Sequence, residues 1–175
     1  MLNFKLVNNY SETLLELYKT NKEVSEESIK LYSGLKNNIT LLDNIYNRSC
    51  PKTDKIRTLF DSCALKYTRK FFELVIKNNR SEYILPIIKS FCKKYEEYEH
   101  IGRVKLYAAG EISKENKEKI ITLLKNKFGF LQVYLSIIID KSLIGGFVAY
   151  VNDNKYDCSI KNSLNKLSKK FNTNL

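Results

Sequence analysis

The amino-acid sequence predicts a mostly helical α+β protein. We expect an N-terminal antiparallel bundle of five or six helices over residues 1–100, followed by a small mixed sheet with two helices over residues 101–175. Two observations carry this prediction. Apolar residues recur at intervals of three and four between Tyr10 and Glu99, which is the period of a helix packed on one side. After Gly102 the interval becomes two, the period of a half-buried strand, so we expect two domains joined near residues 98–103.

In the first hundred residues, apolar stripes alternate with short polar breaks. The stripes are Tyr10, Leu14, Leu17 and Tyr18; Val24, Leu31 and Leu35; Ile56, Leu59, Phe60 and Cys63; Tyr67, Phe71, Leu74, Val75 and Asn78; and Ile84, Ile88, Phe91 and Tyr95. The breaks lie at residues 37–38, 47–52 and 78–81, and Ser81 is a candidate N-cap for the last helix. Such short connections favour antiparallel neighbours.

The remaining residues alternate strand and helix patterns. Apolar residues at 104, 106 and 108 predict a strand, and a helix follows with Ser113 as its N-cap and Gly129 as its stop. Residues 131–139 predict a second strand, residues 147–151 a third, residues 152–154 a turn and residues 156–158 a short return strand. A last helix carries a narrow apolar seam, typical of packing along a partner, at Ile160, Leu164, Leu167 and Phe171.

The charge balance suggests classes of partner. The chain has 30 Lys and Arg against 19 Asp and Glu, a net charge of +11, which suits nucleic acid, anionic lipid or an acidic protein. Residues 101–175 are the more basic part, with 13 basic and 6 acidic residues. Aromatic residues interleaved with cations, such as Tyr67 to Phe71, follow the helical core period, so packing is favoured over base stacking.

No stretch approaches the ~20 uncharged residues that a membrane span requires, and no secretion signal precedes the first helix. We therefore expect an intracellular protein that keeps its N-terminus.

Residues that commonly carry chemistry are sparse. His100 is the only histidine and adjoins Glu99 at the predicted joint, where a solvated surface role is expected. The four cysteines contain no C-x-x-C pair, which argues against a zinc site and a disulfide framework and favours reduced thiols. We expect no catalytic residue, cofactor site or metal site.

Gly145-Gly146 precedes a strand and matches no phosphate-binding loop, so it predicts a turn or bulge with positive φ or close backbone packing. Asp140, Asp153 and Asp157 lie at strand ends and turns beside lysines, where turn chemistry is favoured over a metal site.

Three ordered stretches resemble the delta subunit of rotary F-type ATP synthases, called the oligomycin sensitivity-conferring protein in mitochondria. The family's acidic residue followed by S-L-I-G-G, and its later D-G-S, match Asp140, Ser142, Leu143, Ile144, Gly145, Gly146, Asp157 and Ser159. Cys158 replaces the usual glycine of D-G-S. Upstream, residues 71–86 echo an F-x-x-L-x-x-x-N-x-R-x-x-x-L-P stretch, and residues 104–113 echo a V-x-V-x-S-A-x-x-L-S strand and helix entry.

The resemblance implies a connector without an active site of its own. In this family the helical domain caps the catalytic head and holds the N-terminal helix of an alpha subunit between its first and fifth helices, while the C-terminal domain holds the b subunits of the peripheral stalk. The residues expected at this groove are Tyr10, Thr13, Leu14 and Leu17 of the first helix and Lys70, Leu74 and Asn78 of the fifth. The alternative for the three leucines is an ordinary core role, and the glycine- and aspartate-containing motif is expected to define the fold.

The resemblance also implies a peripheral location on the cytoplasmic face of a bacterial inner membrane, or on the matrix side of a mitochondrial one, with the membrane reached only through the complex and no nucleic acid bound. Two alternatives stay open: a small basic RNA-binding protein, and an enzyme whose site the sequence does not reveal.

Overall fold

The computed structural model describes residues 3–62, 66–151 and 154–165. The chain divides into two units, Met1–Glu97 and Tyr98–Leu175. The first unit consists of α1 (Phe4–Thr20), α2 (Glu23–Asn37), α3 (Ile39–Tyr46), α4 (Lys52–Ser62), α5 (Arg69–Lys77), a 3₁₀ helix (Ser81–Tyr83) and α6 (Ile84–Tyr98). The second consists of β1 (Ile101–Ala108), α7 (Lys114–Phe128), β2 (Gln132–Ile139), β3 (Gly146–Val151) and β4 (Asn154–Ser159), after which residues 160–165 are helical. This order confirms the predicted fold class.

The core of the first unit is built from the predicted apolar stripes. Its buried members include Leu14, Tyr18, Val24, Leu31, Leu35, Leu59, Phe71, Val75, Ile84, Ile88 and Phe91. Leu17 and Leu74 belong to the same stripes in the sequence, but both are exposed. A helix buries only the side that faces its neighbours, so residues at the margin of a stripe remain at the surface.

Two helix boundaries differ from the sequence-based prediction. Tyr67 precedes α5, because the backbone N–H groups of residues 66–68 donate to the Glu27 carboxylate and do not continue a helix. Ser81 is not an N-cap; it is the first residue of the 3₁₀ helix, and its hydroxyl accepts a hydrogen bond from Lys55 Nζ at 3.1 Å. In both places a long-range contact replaces the local one that the sequence suggests.

The second unit contains a four-stranded sheet in the order β2-β1-β3-β4. β1 pairs with β2 in parallel and with β3 antiparallel, and α7 makes the crossover that parallel neighbours require. Ser113 Oγ accepts from Asn116 N at the start of α7, and Gly129 ends it with φ 70°, as predicted. Val104, Leu106, Ala149 and Val151 form the core with Leu124 of α7.

The edge position of β2 leaves part of its apolar side unburied, with Leu131 and Ile139 exposed at its two ends. The predicted turn at residues 152–154 and the terminal seam lie partly outside the described residues, since 152–153, Leu167 and Phe171, like Cys63, are not described. No helix in the described ranges combines the length and apolar composition needed to cross a membrane.

Candidate partner-binding surface

Two adjacent stripes run along α1, one buried and one facing outward. Asn3 starts the helix, because its side chain accepts from Leu6 N at 3.2 Å. The buried stripe consists of Val7, Ser11, Leu14 and Tyr18. The outward stripe consists of Leu6, Tyr10, Thr13 and Leu17, each one position earlier and therefore turned by about 100° around the helix axis.

The outward stripe becomes more exposed toward the end of α1. Leu6 and Tyr10 are half-buried, Thr13 is exposed, and 37% of Leu17 is exposed. The Thr13 hydroxyl donates to Asn9 O at 3.0 Å within the helix. This stripe therefore offers an apolar surface that no described residue covers completely.

A second outward surface lies on α5. This helix buries Phe71, Phe72, Val75 and Ile76. On its outer side 52% of Leu74 is exposed, and Lys70 is exposed one turn earlier. Asn78 ends the helix, where its backbone N–H donates to Leu74 O at 3.1 Å, and its side chain is exposed.

Tyr10 connects α1 to α5 and to the residues that follow α5. Its ring meets Phe71 edge-on, with centroids 5.9 Å apart. Arg80 Nη1 donates to the Tyr10 hydroxyl at 2.6 Å, and the guanidinium lies 5.5 Å from the ring centroid. These contacts fix the orientation of Tyr10 and so shape the border between the two helices.

A shallow depression of about 360 Å³ lies beside this junction. Tyr10 and Thr13 line it, as do Lys5, Leu6 and Arg80, which the sequence analysis did not select. Leu6 was detectable from sequence, because it precedes Tyr10 by four positions and extends the stripe. Arg80 matches the arginine of the family stretch over residues 71–86, but its contact with Tyr10 had no sequence signal, since it spans seventy positions.

The structure corrects one of the predicted groove residues. Leu14 is 0% exposed and belongs to the core, so its side chain cannot reach a partner. For Leu17 and Leu74, in contrast, the alternative of an ordinary core role is wrong, because both are at the surface. Thr13, Lys70 and Asn78 are exposed as a contact role requires.

The motif of the second unit forms the connection between β2 and β3. Asp140 Oδ1 accepts from Ser142 N at 2.9 Å, and Asp140 N donates to Ala108 O at 2.8 Å. Hydrogen bonds from the side chain and backbone of Ser142 lower the pKa of Asp140. Leu143 is half-buried and Ile144 is exposed, so only part of the motif packs inward.

The two glycines of the motif bring this connection against β4. Gly146 has φ 78°, and a Cβ at this position would collide with the backbone oxygen of Cys158. A Cβ on Gly145 would meet Ile160 Cδ1 at 2.6 Å, while Ile160 N donates to Gly145 O at 3.0 Å. Both of the features predicted for this pair, a positive φ and close backbone packing, are present.

Asp157 and Ser159 organise the end of β4. Asp157 Oδ1 accepts from Ser159 Oγ at 2.7 Å and Ser159 N at 3.1 Å, and these bonds lower the pKa of Asp157. Ser159 Oγ in turn accepts from Asn162 N at 3.2 Å. Cys158 pairs with Phe147 in the sheet, and the described residues with positive φ do not include it. The substitution of cysteine for the family's glycine therefore introduces no backbone strain here.

The described residues include one histidine and three cysteines. Within the described ranges, no group of three or more His, Cys, Asp or Glu residues is placed to hold a metal ion. His100 is exposed and has φ 51°, and Cys50, Cys92 and Cys158 are thiols. What the first unit does present is exposed apolar side chains on α1 and α5 bordered by lysines.

Comparisons with known proteins agree on one family. The family model described as ATP synthase delta (OSCP) subunit matches residues 6–171. The ATP synthase subunit delta of Malacoplasma penetrans is 32% identical over 173 residues, covering 92% of each chain. That of Lachnoclostridium phytofermentans is 30% identical over 174 residues, covering 94% of each. A chain in the cryo-EM structure of the Toxoplasma gondii mitochondrial ATP synthase hexamer has the same fold, with a TM-score of 0.69 at 15% identity over 95% of this chain and 97% of that one.

Proposed function

This chain belongs to the ATP synthase delta (OSCP) subunit family, and from that premise we propose that it is the stator connector of a proton-translocating F-type ATP synthase. In this role it links the catalytic alpha/beta head to the b subunits of the peripheral stalk, so that the head resists the torque of the rotor during ATP synthesis. The task requires binding and no chemistry, so the subunit needs no active site or cofactor of its own.

We assign the two contacts to the two units. Residues 1–100 bind the N-terminal helix of an alpha subunit on the α1/α5 surface, defined as Leu6, Tyr10, Thr13 and Leu17 of α1 with Lys70, Leu74 and Asn78 of α5. Residues 101–175 hold the b subunits. The family match supports this division because it extends over residues 6–171 and so includes both units.

The exposure of Leu74 is the observation that carries the first assignment. Leu74 is 52% exposed on the outer side of a packed helix, so about half of its apolar surface is left in water by the fold of this chain. An amphipathic helix bound in a groove is recognised through apolar side chains of this kind, spaced by three and four positions. Leu17 and Tyr10 on α1 supply further apolar contacts, and Lys70 supplies a charge at the border.

The proposed location is the cytoplasmic face of a bacterial inner membrane, reached through the complex. The two relatives described above come from bacteria, which supports this over the mitochondrial alternative.

The head-binding assignment is tested by calorimetric titration of the full-length chain with a synthetic peptide of the alpha subunit's N-terminal helix from the same host. We expect one-to-one binding that Leu74→Asp weakens at least about tenfold, since a carboxylate in an apolar contact costs more than about 1.4 kcal/mol. The control is Leu123→Asp, because Leu123 is also an exposed leucine, at 67%, but lies on α7. Absence of binding by the folded wild-type chain, or equal weakening by both variants, would refute the assignment.

The stalk-binding assignment is tested with the C-terminal segment of the b subunit on the same full-length chain. We expect binding that Leu74→Asp leaves unchanged, because the substituted residue belongs to the other unit. A b segment that fails to bind, or one that competes with the alpha peptide, would contradict the division of roles.

A further inference from the structure

A cavity of about 360 Å³ lies on the first unit, where the connection between α3 and α4 meets the residues that follow α5. The first turn of α4 lines one side of it through Lys52 and Lys55, and Arg48 lines it from the preceding connection. Ser81 and Glu82 line it as well. None of these residues belongs to the α1/α5 surface.

Positive charge dominates the walls of this cavity. Three cationic side chains, Arg48, Lys52 and Lys55, face one carboxylate, that of Glu82. Glu82 lies 3.5 Å from Arg48, and the two side chains are 48% and 90% exposed, so this pair is weak. Lys52 Nζ donates to a backbone oxygen, that of Lys77, at 2.8 Å. The lining therefore carries two positive charges in excess of its negative charge.

Lys55 is the unusual member of this group. Only 6% of the residue is exposed, whereas lysine is almost never buried without a charged partner. Its Nζ donates to Ser81 Oγ at 3.1 Å, and no carboxylate of the described residues lies within ion-pair distance of it. An ammonium has three donors, and leaving its charge buried without a counter-charge is costly. An anion in the cavity would supply that counter-charge.

The other lining groups suit a phosphate. Arg48 can donate two parallel hydrogen bonds to such an oxyanion, and the exposed pair with Glu82 does not hold it in place. The Ser81 oxygen accepts from Lys55, which leaves its own hydrogen available to a ligand. Burial raises the pKa of Tyr46, another lining residue, so its phenol stays a neutral donor.

We propose that this cavity is a binding site for a phosphate dianion, free or carried by a small organic molecule, with Lys55 as the buried anchor and Arg48 and Lys52 as flanking cations. The volume falls at the lower end of the roughly 300–1,000 Å³ typical of small-molecule sites, which leaves room for a phosphorylated metabolite. A concave site with a buried anchor suits a small ligand better than it suits the flat face of a partner protein.

The test is calorimetric titration of the full-length chain with inorganic phosphate, and separately with adenosine monophosphate, at constant ionic strength and pH 7. We expect saturable one-to-one binding, which Arg48→Gln and Lys52→Gln each weaken about tenfold, because each removes a charge-assisted hydrogen bond. Lys55→Met, which keeps an unbranched side chain but removes the ammonium group, should abolish binding. Arg48 is 90% exposed, so its variant keeps the fold even if the Lys55 variant does not.

The matched control is Lys30→Gln, which removes a charge from a side chain that is 78% exposed on α2. It should change the affinity less than twofold.

Tighter binding of adenosine monophosphate would identify a phosphorylated molecule as the ligand, and equal or weaker binding would identify free phosphate. The proposal fails if the wild-type chain shows no saturation up to about 10 mM phosphate, which corresponds to a binding free energy weaker than about −3 kcal/mol, or if Lys30→Gln weakens binding as much as Arg48→Gln does.

Discussion

Glu27 is the residue on which the position of α5 most clearly depends. Its carboxylate accepts hydrogen bonds from the backbone N–H groups of Lys66, Tyr67 and Thr68 at 2.8–3.2 Å, and from the Thr68 hydroxyl at 2.8 Å. Burial opposes ionisation of this carboxylate, but the hydrogen bonds from Thr68, Lys66 and Tyr67 outweigh it, and the pKa of Glu27 is lowered. One charge on α2 thereby fixes the chain immediately before α5, the helix that carries Leu74.

We predict that Glu27→Gln lowers the free energy of unfolding by about 1–3 kcal/mol at pH 7, because an amide accepts fewer of these bonds and sets its own N–H₂ group against backbone donors. Urea denaturation measures the change. Glu26→Gln is the control, since Glu26 is 75% exposed and lies 3.8 Å from Lys30 in a weak surface pair. That variant should differ from the wild type by less than about 0.5 kcal/mol.

The contribution of Glu27 also has a defined pH dependence. Because its folded-state pKa lies below the ordinary glutamate value of 4.5, its stabilising effect is complete above that value and disappears as the pH falls through the lowered pKa. The stability gap between the wild type and Glu27→Gln should therefore be constant from pH 7 to pH 6 and shrink at pH values below 4.5. A gap of unchanged size at acidic pH would show that the carboxylate charge is not responsible.

At the scale of elements, the connection between β2 and β3 determines how closely β3 can approach β4 in the second unit. Asp140 turns the chain after β2, and Gly146 brings the start of β3 against the backbone of Cys158 in β4. Ala109 N donates to Gly146 O at 3.4 Å, so the same glycine also borders the end of β1. A side chain at this position would separate strands that pair along their whole length.

We predict that Gly146→Ala destabilises the second unit by at least about 2 kcal/mol, because the positive φ is unfavourable for alanine and the added Cβ would meet a backbone oxygen that cannot move aside. Gly110→Ala is the matched control: an added Cβ there has no neighbour within 4 Å, and its φ is not in the left-handed region. Hydrogen exchange of residues 146–151 reports the effect locally. Equal protection in the two variants would contradict the structural role assigned to Gly146.

At the scale of the whole molecule, local ion pairs among the described residues offset part of the charge behind the net value of +11. Several cations are paired with nearby carboxylates, as in Lys19–Glu16 at 2.7 Å and Lys119–Glu115 at 2.6 Å. A third pair, Lys94–Glu12 at 3.0 Å, joins α6 to α1. Each exposed pair adds little stability, but together they intersperse opposite charges over the surface.

We predict that the full-length chain binds single-stranded RNA only in the non-specific range, with a Kd of about 10⁻⁶ M or weaker at physiological salt. Fluorescence anisotropy with a labelled oligonucleotide, measured from 50 to 200 mM salt, tests this. Nanomolar binding that weakens steeply with salt would revive the RNA-binding alternative, since each neutralised phosphate adds about −0.7 to the log-log slope for a single strand.

The sequence by itself determined the elements of this protein and their order. Apolar periods of three to four and of two identified the bundle and the strands, and Ser113 and Gly129 marked the two ends of α7. The Gly145-Gly146 turn was also predictable, because only glycine tolerates its positive φ beside another backbone. These features depend on residues close together in the chain. The same is true of the family motif, whose residues all lie between Asp140 and Ser159.

Tertiary structure alone decided which members of a stripe are buried and which remain available for binding. Leu14 and Leu17 are three positions apart on α1 and equivalent by period, yet the first is 0% and the second 37% exposed. The difference depends on where α6 and the other helices pack against α1. In the same way, the Glu27 contacts to residues 66–68 and the Lys55 contact to Ser81 join positions 26 to 41 residues apart. Burial and long-range hydrogen bonds are properties of neighbours in space, and a periodic pattern records only the direction in which a side chain points from its own helix.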